Sequence, residues 1–111
     1  MLSRVIASRA EYGEFESKLA LFSNAIGHPS RVAIIMAIVA KNNLVEGEII
    51  QIEGLNKTQV QKHLSELQRA GFIDGRIIGL KRSYSVNLDT IAEFIALFRK
   101  LVVQIQPAVN V

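Results

Sequence analysis

The segment GLNKTQVQKHLSELQRAGFIDG, from Gly54 to Gly75, holds the side chains whose types and spacing could do chemistry. On a helical wheel from Lys57 to Ala70, Val60, Leu64 and Leu67 share one narrow sector that belongs against a core. The opposite sector holds Thr58, Lys62, Ser65 and Arg69, with Lys57 and Gln61 on one flank. Gln and Thr can hydrogen-bond base edges, and Lys can reach a guanine edge or a phosphate oxygen. A helix lying in a major groove presents its N-terminal half to the bases. Here that half contains Lys57, Thr58, Gln59, Gln61 and Lys62. The candidate nucleic-acid contacts on this helix are therefore Lys57, Thr58, Gln59, Gln61, Lys62, His63 and Ser65. An ordinary solvated face has the same composition, so context must decide.

Other chemistry finds little support. The chain has no cysteine, which excludes disulfides, thiolate metal sites and cysteine nucleophiles. Asp89 and Glu93 stand one helical turn apart with no histidine beside them, a poor transition-metal set. Capping by Asp89 and solvation of Glu93 are the expectation. His28 precedes Pro29, where a helix cap or surface role is the default. His63 either positions the helix by a phosphate contact or makes a local structural hydrogen bond. Neither histidine has a nucleophile or acid partner in the sequence, and no Gly-rich pattern precedes a helix. No enzyme activity, no cofactor and no metal are expected.

The elements that must position the polar helix follow from periodicity and punctuation. From Glu11 to Ile26, apolar residues recur at Phe15, Leu19, Phe22 and Ile26, which is helical spacing. Gly27-His28-Pro29 interrupts it, and Pro29 suits the first position of a second helix, Pro29 to Ala40. VAIIMAIVA is apolar almost all round, so this helix is expected to be central and buried. After Lys41-Asn42-Asn43 comes a short helix, Glu46 to Ile52, then a turn at Gly54. Asn56 with Gln59 three residues later makes a capping-box pattern, and Gly71 is a natural stop. The period then changes to two. Ile73 to Ile77 and Ser83 to Val86 read as a hairpin turning at Gly79, with Arg76, Lys81 and Arg82 near its tip. Asp89 is expected to cap a last helix, and the tail from Gln104 is expected to fray. The fold class is mainly α with a small β-hairpin, in the order α-α-α-α-β-β-α.

Charge is concentrated where the candidate contacts lie. Residues 55–85 carry six Lys/Arg against two Asp/Glu, whereas residues 1–54 carry five against six. Such a block suits a polyanion. The 111 residues, half of them apolar, suit a single domain, 1–111. The longest apolar run, Val32 to Ala40, has nine residues, and a bilayer span takes roughly 20. MLSRVIASRA is too short in apolar residues for a secretory signal. A soluble, cytoplasmic chain is expected.

A short helix, a Gly turn, a capped helix and a basic hairpin together resemble the winged-helix repressors of the ArsR/SmtB type, over about residues 20 to 100. The resemblance is carried by Ala25-Ile-Gly-His-Pro-Ser-Arg31, by Leu55-Asn-Lys-Thr-Gln-Val-Gln-Lys-His-Leu64 and by Leu67-Gln-Arg-Ala-Gly-Phe-Ile73, with the wing ending near Tyr84. It implies a homodimer held by the first and last helices, 11–26 and 89–103, bound to an imperfect palindrome in double-stranded DNA. It also implies DNA contacts at Lys57, Thr58, Gln61 and Lys62. The chain departs from the metal sensors of that family, which commonly carry Cys where it reads Glu46-Gly-Glu-Ile-Ile-Gln-Ile52.

Tyr12, Phe15, Leu19 and Phe22 on the first helix, with Phe94, Phe98 and Leu101 on the last, offer more apolar surface than one small core can cover. Exposed patches of that extent mark a partner, and a two-fold dimer is the commonest solution. The expectation is a homodimeric transcription regulator, a repressor that occludes a promoter. The rival is a winged-helix protein-interaction module without DNA binding. A small-molecule effector at the dimer interface is compatible with DNA binding.

Overall fold

The computed structural model describes residues 12–41 and 44–109, without side chains at 44–45, 50–53 and 107–109. Among the described residues five helices and three strands follow one another: α1 (Glu14–Ala25), α2 (Pro29–Lys41), β1 (Leu44–Val45), α3 (Glu46–Glu53), α4 (Lys57–Arg69), β2 (Ile73–Ile78), β3 (Lys81–Val86) and α5 (Leu88–Val109). The expected order of four helices, a hairpin and a helix is the order found. The addition is β1. It pairs antiparallel with β3, Leu44 opposite Tyr84 and Val45 opposite Ser83, so the sheet has three strands in the order β1-β3-β2.

The helix ends obey local chemistry. Glu14 and Glu16 sit in the first turn of α1, where the positive end of the helix dipole favours them. Of its two default roles His28 takes the cap of α2, its Nδ1 accepting from the Ser30 N–H at 3.1 Å. Asn56 caps α4 through a reciprocal box. Its side chain accepts from the Gln59 N–H at 2.8 Å, and Gln59 Oε1 accepts from the Asn56 N–H at 3.1 Å. At the other end Gly71 takes a left-handed φ of 89°. There the Phe72 N–H donates to Leu67 O and the Gly71 N–H to Gln68 O, both at 3.0 Å, which is a Schellman stop.

That stop delivers Phe72 to the centre of the core, where it is fully buried with Ile34, Ile38, Ile49, Val60, Leu64, Leu67 and Ile73. Phe72 also meets Phe22 of α1 and Phe94 of α5, with ring centroids 5.5 and 5.7 Å away. The Phe22 and Phe94 rings stand 5.9 Å apart, edge to face, and close the triangle.

Four expectations need correction. The α2 helix is buried on one side only. Ile34 and Ile38, four positions apart, face the core, while Val32, Met36 and Val39 are exposed among the described residues. The cap of α5 is Asn87, not Asp89: Asn87 Oδ1 accepts from the N–H groups of Asp89 and Thr90. Glu93 is not merely solvated but pairs with Lys18 of α1. The segment from Gln104 does not fray at once, since α5 continues to Val109. No single helix among the described residues is long and apolar enough to cross a bilayer.

These packing relations set a scale for damage. Phe72→Ala should cost about 3–5 kcal/mol of unfolding free energy, and Asn56→Ala about 1 kcal/mol. Urea unfolding of the two variants beside the parent protein checks both, and a Phe72 variant of parental stability would contradict the central placement of that ring.

Candidate nucleic-acid interface

The α4 helix is amphipathic in the strict sense that its two sides have different neighbours. Val60, Leu64 and Leu67 are buried under it, and Lys57, Thr58, Gln59, Gln61, Lys62 and Ser65 are exposed on it. Arg69 at the far end pairs with Glu66 one turn back, at 3.0 Å. Gln59 is exposed, yet its Oε1 is engaged in the cap, which leaves only its amide N–H groups for another partner.

The hairpin carries the second part of the surface. Arg76, Lys81 and Arg82 are all exposed. Among the described residues, no ion pair joins Lys57, Lys62, Arg76, Lys81 or Arg82 to a carboxylate. Helix and hairpin meet along a polar groove of about 410 Å³, lined by Gln61, Ser65 and Gln68 from α4, Arg82 and Tyr84 from β3, and Glu46 from α3. Gln61, Ser65 and Arg82 thus line one groove. Three of the lining residues escape sequence reading. Glu46 reaches the groove because β1 pins the start of α3 to β3, and a two-residue strand leaves no periodic signal. Glu46 Oε2 is buried and has no hydrogen-bond partner among the described residues.

His63 does not belong to the exposed set. Its ring is buried, its Nδ1 accepts from Arg31 Nε at 3.1 Å, and the His28 ring lies 4.5 Å away. Of the two roles open to it in the sequence, the local structural one fits this position. Arg31 reaches the other way as well, its Nη1 donating to Asn24 O and Ala25 O at 3.3 and 3.2 Å. One guanidinium therefore ties the last carbonyls of α1 to the middle of α4.

Burial pushes the His63 imidazole below its ordinary pKa, and the neighbouring cations Arg31 and Lys62 push it the same way. An Nδ1 that accepts from a guanidinium belongs to the neutral form of the ring, and the downward shift favours that form.

The α1–α5 face is a separate region. Leu19 and Phe22 leave the expected intersubunit set, since both are buried within the chain. An amphipathic stripe is satisfied by whichever core it meets first, and for Phe22 that core is Phe72 and Phe94. Phe15 and Leu101 are half-buried, and Lys100 Nζ lies 4.7 Å from the Phe15 ring centre, a cation–π contact. Tyr12 and Phe98 remain exposed, Phe98 by 51 %. An apolar groove of about 420 Å³ runs along α5 between Phe94, Ile95, Phe98, Arg99 and Val102.

A capped helix on an apolar bed, a preceding short helix and a hairpin braced by a third strand define the winged helix-turn-helix class. The chain is similar to the uncharacterized HTH-type transcriptional regulator Rv0081 of Mycobacterium tuberculosis, with 31% identity over 85 residues, 76% of this chain and 74% of that protein. The crystal structure of Rv0081 matches at a TM-score of 0.65 and 25% identity, covering 91% of this chain and 100% of that one. A probable mercury resistance operon repressor of Streptomyces lividans is 29% identical over 82 residues, 74% of this chain and 65% of its own length. An ArsR-like transcriptional regulator from Rhodococcus sp. RHA1 matches at a TM-score of 0.73 over 86% of this chain and 89% of that one; at 14% identity it shows the fold alone. No protein-family model matches the chain. The chain belongs to the HTH-type transcriptional regulators, and it has none of the cysteines on which thiolate metal sites depend.

The buried imidazole gives a pH signature. Its folded pKa lies below the ordinary 6.5, so the unfolded chain binds this proton more tightly. Stability is full above about pH 6.5, falls as the pH drops from there toward the folded pKa, and levels off below it. Thermal midpoints between pH 7.5 and 5 should show that decline in the parent protein and a shallower one in His63→Gln. Equal slopes would remove His63 as the source.

Proposed function

We propose that the chain regulates transcription by binding duplex DNA as a homodimer, as a repressor on a palindromic operator. The observation that carries the reading is the shared surface of α4 and the wing. Thr58, Gln61, Lys62 and Ser65 lie exposed over a buried stripe, and the groove at Gln61 and Ser65 leads directly to Arg82. In this reading Thr58 and Gln61 read base edges, helped by Ser65 and the free amide of Gln59. Lys57 and Lys62 reach guanine edges or phosphates, and Arg76, Lys81 and Arg82 contact the neighbouring backbone. The name of the Streptomyces relative supports a repressor. Its soft metal does not transfer to a chain that lacks the thiolates such a metal selects.

Selection of bound duplexes from a random pool, with protein treated with chelator, tests the reading. A palindrome with half-sites roughly 34 Å apart is expected. On that site Lys62→Ala and Arg82→Ala should each flatten the log–log salt dependence of affinity by about one unit. Thr58→Ala and Gln61→Ala should instead relax base preference and leave the slope intact. Absence of retention on random duplex DNA or heparin at low salt would favour the rival, a docking module that binds protein only.

The dimer is proposed from the α1–α5 face. The α5 helix, at about 1.5 Å per residue, is far longer than its contact with α1 needs, and Ile95, Phe98, Val102, Val103 and Ile105 are exposed along it. A second copy covering Tyr12, Phe98 and the rest of Phe15, Phe94 and Leu101 would bury that strip. An effector, if one acts, has an apolar groove there to occupy. Phe98→Glu should sediment as a monomer with native circular dichroism and should bind a half-site and the full palindrome with equal affinity. A dimeric Phe98→Glu would place the interface elsewhere.

A further inference from the structure

The tip of the wing contradicts the ordinary rule for a soluble surface. Ile77, Ile78 and Leu80 are exposed by 68, 60 and 104 % of their full surface, and they are consecutive but for the turn residue Gly79. In β2 only Ile73 is buried, so the hairpin leaves the body of the protein almost at once. Each isoleucine faces a cation across the ladder, Ile77 opposite Arg82 and Ile78 opposite Lys81, with Arg76 next along the same strand. Directly opposed residues lie on the same face of the ribbon. Both faces of the tip therefore combine a branched aliphatic group with a positive charge, and Leu80 projects at the end.

We infer that Leu80, seconded by Ile78, is a wedge that enters the minor groove beside the site read by α4, partly unstacks a base step and bends the duplex. This rests on the DNA-binding reading and adds to it a means of recognition. The charge pattern selects the partner. A protein surface able to cover the aliphatic tip would have to desolvate Arg76, Lys81 and Arg82 as well. A duplex offers an apolar stack of bases between two rims of phosphate, and so meets both halves of the pattern. The minor groove is about 6 Å wide, too narrow for a whole ribbon but open to one side chain projecting from a glycine turn. The turn with its projecting side chain fits such a gap, while the cations stay at the level of the phosphates. An anionic membrane has the same two chemistries, but the exposed face of α4 beside the wing is polar and would bury nothing in it.

Insertion of Leu, Ile or Met between base steps kinks DNA by about 20–90° toward the major groove. The cost is lowest at pyrimidine–purine steps and highest in A-tracts. Leu80 would thus give the protein a preference at positions where no polar group touches a base.

The test uses the full chain and the operator recovered by selection, with 2-aminopurine at the flanking step and dyes at the two ends. The parent protein should raise 2-aminopurine fluorescence, bring the ends closer and prefer a TA flank over an A-tract by about tenfold. Leu80→Ala and the double variant Ile78→Ala/Leu80→Ala should lose all three effects. Their salt slope should stay parental, because every cation remains, and their circular dichroism should stay native. If parent and variants bend and unstack the duplex alike, or neither does so, the wedge is refuted while DNA binding stands. If the parent protein binds no duplex, the functional reading fails first. Leu80-dependent capture on phosphatidylserine vesicles, with no change in the duplex, would overturn the wedge in favour of a membrane contact.

Discussion

The fold depends on the apolar side of α4 being held in one place. Val60, Leu64 and Leu67 are buried at three- and four-residue spacing, and both ends of the helix are closed by specific hydrogen bonds. A helix clamped this way has no rotational freedom about its axis. Turning it would expose three large aliphatic groups, each worth about 1.5–3 kcal/mol of burial. The outward direction of Thr58, Gln61, Lys62 and Ser65 is thus a consequence of what lies beneath them. Polar side chains acquire a fixed orientation here without any polar contact to hold them.

The same clamp connects the two regions of the molecule. The residue that ends α4, Phe72, is also the residue against which Phe22 of α1 and Phe94 of α5 pack. Arg31 makes a second connection, from the last carbonyls of α1 to His63 within α4. The Asn87 N–H adds a third, donating to Phe72 O at 2.8 Å just before α5 begins. In a dimer built on α1 and α5, the separation of the two α4 helices would be set through these contacts. A closely packed core shifts between discrete arrangements rather than deforming smoothly. A ligand at the α5 groove would act on DNA only by selecting among such arrangements.

Much of this was legible in the sequence because it is local. Pro29, the Asn56–Gln59 pair and Gly71 mark helix ends through chemistry confined to a few residues, and each lies where the punctuation predicts. The buried stripe of α4 was equally plain from its period. What escaped was non-local. A two-residue strand such as β1 exists only because Tyr84 and Ser83 lie opposite it. Leu19 and Phe22 announce an apolar face but not whose core will cover it. His63 stands at the edge of the polar sector, and only the arrival of Arg31, 32 positions away in sequence, decides that it turns inward. Asn87 and Asp89 are both good caps, and periodicity alone does not choose between them.

The wing follows a different logic from the helix it accompanies. Beyond Ile73 and Tyr84 no hairpin residue is buried, and β1 braces only the base of the ribbon. A two-stranded ribbon is marginal in water without a covered face. Its outer half is held by the ladder from Gly75–Tyr84 to Ile78–Lys81 and by a two-residue turn that needs the positive φ of Gly79. Such an element can adapt to a partner at small cost in packing, whereas α4 cannot. The two parts of the surface therefore suit two kinds of reading. A rigid helix discriminates by the donors and acceptors it presents, and a lightly anchored hairpin responds to how readily its partner deforms.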